Sequence, residues 1–243
     1  MNPCNAYESK CMSDLLGQTL RPGEFKLTRR AIELCTITKQ DRVLDLGCGM
    51  GATIAYLYKN YNIKAIGIDP SEQLLARAKE ICPFTDFVKG TGDMLPFLDE
   101  SFQCVFAECT LSLMNDLTAS IHEVKRVLGK HGWFVVTDVY AKYPSKRNEL
   151  ESCSTNSCMR GLHDLDLLQE KLEQIGFEIV YLEDCSDLLK ELMVKIIFSY
   201  GSMDCFWNKT TGNEACKSGG EFQEKLKACK PGYFFLLAKK GDV

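Results

Sequence analysis

From residue 42 onward, short apolar runs and longer amphipathic stretches take turns along the chain. Residues 42–46, 64–69, 86–89, 103–108 and 132–139 have the length and apolar character of strands in a sheet buried on both faces. The stretches 52–60, 71–82 and 117–128 between them repeat apolar residues at helical spacing. A further helix is predicted over 164–175, where Gly176-Phe177 turns the chain into a strand at 178–183. A last strand at 233–240 follows the turn Lys230-Pro-Gly232. The alternation predicts an α/β fold, a Rossmann-like and mostly parallel sheet with helices on both faces. Two stretches lie outside it. Residues 1–40 read as an N-terminal cap, with a turn at Arg21-Pro-Gly-Glu24 and a helix near 27–35. Nearly fifty residues, about 185–230, separate the last two strands, where a hairpin would need only a few. They read as an inserted cap or partner surface, helical over 187–200 and a polar, cysteine-containing loop over 201–220, with 208–220 also readable as partly disordered.

Composition narrows the picture. The length of 243 residues suits one α/β domain at 41–243 behind the cap. A net charge of −4 carries none of the basic excess of a nucleic-acid surface, which points to a small-molecule partner. No apolar run reaches the roughly 18 residues that span a bilayer. The N-terminal residues lack the basic-then-apolar order of a signal segment, so a cytoplasmic location is expected. The thirteen cysteines then read as thiols. None forms a Cys-x-x-Cys pair, so no zinc site is expected.

The chemistry gathers at the ends of the first strands. The first runs through Asp45-Leu-Gly-Cys-Gly-Met-Gly51 into a helix. Glycines there admit a sharp turn and a close ligand, and the helix N-terminus receives a carboxylate as readily as a phosphate. Asp45 would crowd a pyrophosphate but suits the ammonium of a methionine. Strand two ends in Gly67-Ile-Asp69-Pro70-Ser71, an acid placed to accept ribose hydroxyls. Strand three leads to Gly90-Thr-Gly92-Asp93-Met94, where Asp93 can accept from an adenine amino group and Met94 can pack on the ring.

These three motifs, in this order over 41–140, resemble class I S-adenosylmethionine-dependent methyltransferases. The resemblance implies a seven-stranded sheet with an antiparallel last strand. It implies S-adenosyl-L-methionine as cofactor and S-adenosyl-L-homocysteine as product. Asp45, Gly47 and Gly49 would hold the methionine part, Asp69 the ribose and Asp93 the adenine. Cys48, Gly51, Pro70, Gly92, Met94 and Glu108 complete the expected cofactor contacts. The acceptor would lie over the end of strand four, Ala107-Glu108-Cys109-Thr110, which lacks the Asn-Pro-Pro-Tyr type motif of amino-group methylases of DNA and glutamine.

Cys109 and Cys158 also resemble, in part, the cysteines of arsenite methyltransferases. That resemblance makes them catalytic candidates toward a thiol-bound metalloid, with Cys153, Cys48 or Cys185 as a third ligand. It is incomplete, because the surrounding residues differ and those enzymes carry a longer C-terminal domain. Arg21, Asp138 and His163 are further candidates for holding a small-molecule acceptor. Against Cys109 stands the reading of a small buried core residue. Against His122, His131 and His163 stands a surface position. Two other functions compete: a nonenzymatic S-adenosylmethionine-binding sensor or assembly subunit, and an NAD-dependent oxidoreductase, which Asp45 disfavours.

Overall fold

The computed structural model describes residues 19, 21–151, 153, 157–210 and 218–241. Cys4, Cys11 and Cys216 lie outside them, as do residues 1–18 and 20 of the N-terminal cap.

Seven strands form one sheet: β1 Val43–Leu46, β2 Ala65–Asp69, β3 Phe87–Lys89, β4 Phe102–Glu108, β5 Leu128–Ala141, β6 Phe177–Asp184 and β7 Pro231–Lys240. Their spatial order is β3-β2-β1-β4-β5-β7-β6. β1 to β5 run parallel; β7 runs antiparallel between β5 and β6. The strand order reverses at β1, so the crevice beyond the carboxyl ends of β1 and β4 is where an open α/β sheet binds ligands.

The period of two divides the apolar residues between two cores. Val43, Cys104, Phe106 and Val135 point into one, with α1 Lys26–Cys35, α2 Ala52–Tyr61 and α3 Glu72–Ile81 packed on that face. Leu44, Leu46, Val105, Ala107 and Phe134 point into the other, covered by α4 Leu117–Val127 and by a helix at Leu165–Ile175. Several helix starts are written locally. The Ser71 hydroxyl accepts from Leu74 N–H, the Asp116 carboxylate from Ala119 N–H and the Asp164 carboxylate from Leu167 N–H. After the one-turn α5 Asn148–Glu151, Leu165–Ile175 is α6, and Gly176 ends it at φ 97°.

The segment before β7 matches its sequence reading in part. α7 Ser186–Tyr200 is the apolar helix expected over 187–200. The expected polar loop at 201–220 is instead helical at α8 Met203–Thr210, and α9 Ser218–Cys229 begins inside it. Aromatic packing overrides its polar composition. Phe206 and Trp207 are buried, stacked edge-on with each other and with Tyr200 and Phe222, and Trp207 donates its indole N–H to Gln223 at 2.9 Å. Among the described residues, no helix is long and apolar enough to cross a membrane.

Candidate active site

The loop after β1 is shaped by close backbone contacts. Gly47 sits at φ 72°, and a Cβ there would stand 2.0 Å from Thr110 Oγ1. The N–H groups of Gly47 and Cys48 both donate to Ile68 O, Gly49 donates to the Asp69 carboxylate and Gly51 to Cys48 O. Those donors are therefore occupied within the protein. What the glycines supply is a bare wall: a Cβ on Gly49 would meet nothing within 4 Å.

That wall closes a cavity of about 300 Å³ at the carboxyl ends of β1, β2 and β4. Asp45, Gly47, Cys48, Gly49, Asp69, Pro70, Gly92, Asp93, Glu108, Cys109 and Arg21 all line it. Asp69 ties two loops together, one carboxylate oxygen accepting from Gly49 N–H and the other from Ser71 N–H, each at 2.9 Å. Asp45 is buried, and its carboxyl is pushed up to about 8 by burial first, then by the neighbouring charges of Glu108 and Asp69, against the pull of Arg21.

Glu108 is engaged from three sides. It accepts from the hydroxyls of Thr28 on α1 and Thr53 on α2, both at 2.8 Å, and pairs with Arg21. Arg21 also reaches Thr53 Oγ1 and Thr28 Oγ1 at 2.7 Å. The cluster fastens the N-terminal turn to the end of β4.

Cys109 follows β4 at φ 56°, a left-handed conformation unusual for a side-chain-bearing residue. The Tyr233 hydroxyl donates to Thr137 Oγ1 at 3.0 Å and shares a 3.3 Å hydrogen bond with Cys109 Sγ. Burial, then Cys158 and Asp138, push the Cys109 thiol well above its ordinary range, so it is held as SH rather than thiolate.

Other predicted residues lie elsewhere. Met94 is 77 % exposed and outside the cavity, because Leu95 takes the inward position beside it; Met114 and Leu113 line the cavity instead. Gly51 turns away from it, capping α2 at φ 78° against Phe87. Asp138 is fully buried beneath the turn after β4, accepting from the Ser112 N–H and hydroxyl, and does not line the cavity. His163 is buried rather than on the surface, its Nε2 3.5 Å from Asp138 Oδ2, because its backbone adds to the end of β5. His122 and His131 are exposed, as expected. Cys153 and Cys158 do not line the cavity, and Cys153 is directed to Glu149 O at 3.8 Å. Among the described residues, no three His, Cys, Asp or Glu converge as a metal-ligand set.

Sequence reasoning missed Thr28, Thr53, Met114 and Tyr233. Tyr233 carried a usable signal: an antiparallel β7 beside β5 brings the residue after Pro231-Gly232 opposite Val139, near the end of β4.

Comparison with known proteins agrees with this geometry. Residues 44–136 match the methyltransferase domain family. The chain is 26 % identical over 159 residues to a glycine/sarcosine/dimethylglycine N-methyltransferase of Actinopolyspora halophila, covering 63 % of this chain and 28 % of that one. It is 25 % identical over 183 residues to a phosphoethanolamine N-methyltransferase of Triticum aestivum, covering 73 % and 36 %. It thus spans about a third of the length of these relatives. Among solved structures, phosphoethanolamine N-methyltransferase 2 of Haemonchus contortus, in complex with S-adenosyl-L-methionine, superposes with a TM-score of 0.74 at 18 % identity, covering 96 % of this chain and 56 % of that one. The matched domain coincides with the sheet from β1 to β5 and with the loops that wall the cavity. Over residues 44–136 the chain carries a methyltransferase domain, and in sheet and cavity it resembles the class I S-adenosylmethionine-dependent methyltransferases.

Proposed function

We propose that this protein transfers the methyl group of S-adenosyl-L-methionine to a small-molecule acceptor, and that the acceptor atom is an amine nitrogen. The observation that carries the reading is the cavity itself: bare glycine backbone on one side, with Asp45, Asp69 and Asp93 spaced along it. These residues fit the cofactor. Asp45, buried beside Glu108 and Asp69 with Arg21 as a single nearby cation, suits an ammonium. Asp69 keeps lone pairs for ribose hydroxyls beyond its two backbone bonds. Asp93, at the exposed end, suits the adenine amino group. Bound there, the cofactor supplies an electrophilic methyl on a sulfonium.

The protein's own task is alignment and exclusion of water. In the transfer the sulfur–methyl bond breaks and its electron pair stays on sulfur. A methyl–nitrogen bond forms from the amine lone pair, and the nitrogen then releases a proton to solvent. The Cys109–Tyr233–Thr137 chain fixes the wall at the end of β4, and the Arg21–Glu108 cluster holds the N-terminal turn beside it. An amine is favoured because the two curated relatives are named for methylating small amines.

A metalloid acceptor is the second reading. Its support is that Cys158 stands near enough to Cys109 to raise its pKa. The protonated state of Cys109 weighs against it, since the soft ligand is the thiolate. Methyl transfer from labelled cofactor separates the two. Label appearing in a small amine, and surviving Cys109→Ser, supports the amine; label appearing only with arsenite, and lost in that variant, overturns it.

A further inference from the structure

A second cavity, of about 150 Å³, lies between the N-terminal turn and α7, and Thr19 and Arg21 line both cavities. We infer that this second cavity receives an acidic group, carboxylate or phosphate, carried by the small amine that is methylated. The inference rests on the reading of the first cavity as the cofactor's.

Size sets the first limit. At about 30 Å³ per water, the space equals about five waters. That admits an acidic group with one or two carbons. Charge sets the second. The cations on its wall are Arg21, Lys26 and Lys195. Arg21 is the buried one, its side chain 10 % exposed, and it lines both cavities while its guanidinium is held by Glu108, Thr28 and Thr53. The carboxylates facing the lysines are held loosely. Lys26 meets Glu191 at 3.6 Å and Lys195 meets Glu24 at 3.3 Å, every side chain at least 60 % exposed. Exposed pairs of this kind contribute little, so an incoming anion can take the place of either glutamate at small cost. Both pairs bridge the N-terminal turn and α1 to α7, so the same exchange joins substrate to the insertion before β7.

Geometry sets the third. Gly23 lies at φ 74°, and a Cβ there would stand 2.7 Å from Leu188 Cδ1, so turn and α7 are in close contact at one end. Gly23 and Leu188 line the cavity at this contact, and Glu191, Lys195 and Ser199 continue its wall along α7. An amine whose acid sits in this cavity is tethered across Arg21 from the cofactor's side.

The test is titration calorimetry on the full chain. S-adenosylhomocysteine is titrated first. Failure to bind would remove the reading of the first cavity, and this inference with it, before any acceptor is added. Four probes are then titrated into the saturated protein: glycine against glycinamide, and O-phosphoethanolamine against ethanolamine. The expected result is at least tenfold tighter binding of the acid-bearing member of one pair, the pair identifying carboxylate or phosphate as its source. In the double variant Lys26→Gln, Lys195→Gln that preference falls about tenfold, while S-adenosylhomocysteine affinity stays within twofold of wild type. Equal binding of acidic and neutral members in both pairs, no binding by any probe, or an unchanged preference in the double variant would overturn the inference.

Discussion

Asp45 is buried beside two other carboxylates, and its behaviour with pH follows from these neighbours. Burial and like charges hold its carboxyl up at about 8 in the folded protein, above the ordinary carboxylate value of 3.8. Between those values the folded protein holds a proton that the unfolded chain has released, so stability falls as pH rises from about 4 to 8. The melting temperature of the ligand-free protein should therefore fall between pH 5 and pH 8 by several degrees more than that of Asp45→Asn. An ammonium prefers the ionised carboxylate. S-adenosylhomocysteine affinity should accordingly rise with pH up to about 8, by at most about tenfold per unit, and level off above it. Asp45→Asn should bind weakly with no such slope. Equal slopes in the two proteins would remove Asp45 from the account. Gly47 gives a steric counterpart. Gly47→Ala puts a methyl against Thr110 Oγ1 at a left-handed φ. The backbone alone costs about 1–2 kcal/mol, so thermal melting should show a drop of about 5 °C or more, with cofactor affinity lost. Asp45, Gly47 and Asp69 were legible because each is a residue type with one strong local reason to be there. Glu108 was read as a cofactor contact, and the sequence could not show that Thr28, Thr53 and Arg21, distant in the chain, would converge on it.

At the scale of elements, strands and helices with a clear period and a written stop were placed within a few residues. α6 is an example, bounded by Asp164 and Gly176. α8 was not, because its short Met-Asp-Cys-Phe-Trp-Asn-Lys-Thr sequence gains its order from tertiary contacts. Trp207 is the anchor: buried, hydrogen-bonded to Gln223 and packed on Phe206 and Phe222. Trp207→Ala should cost about 3–5 kcal/mol of local stability. Limited proteolysis should then cut within 203–229 while the β1–β5 portion stays protected; protection throughout would mean that α8 does not depend on this anchor. Met94 shows the same limit at the level of one residue. Its place after Asp93 suggested a ring contact, yet burial of Leu95 turns it to solvent.

For the whole molecule, the order β3-β2-β1-β4-β5-β7-β6 brings the motif loops together at one end of the sheet. The alternation of elements made that architecture readable; the antiparallel course of β7 was implied by resemblance alone, and its place between β5 and β6 was not read. The acceptor side was less legible, because methyl transfer needs alignment more than a fixed set of reactive residues, and alignment is a property of three-dimensional walls. Cys109, Tyr233, Arg21 and α7 meet only in the folded chain.

The most direct measurement is transfer of a labelled methyl group from S-adenosyl-L-methionine by the full chain into small amines, in parallel with Asp69→Ala. The account predicts labelled product from at least one amine, formation of S-adenosylhomocysteine in equal amount, and loss of both in the variant. Tight cofactor binding with no label transferred to any acceptor, amine or metalloid, would contradict it and leave a cofactor-binding protein without transferase activity.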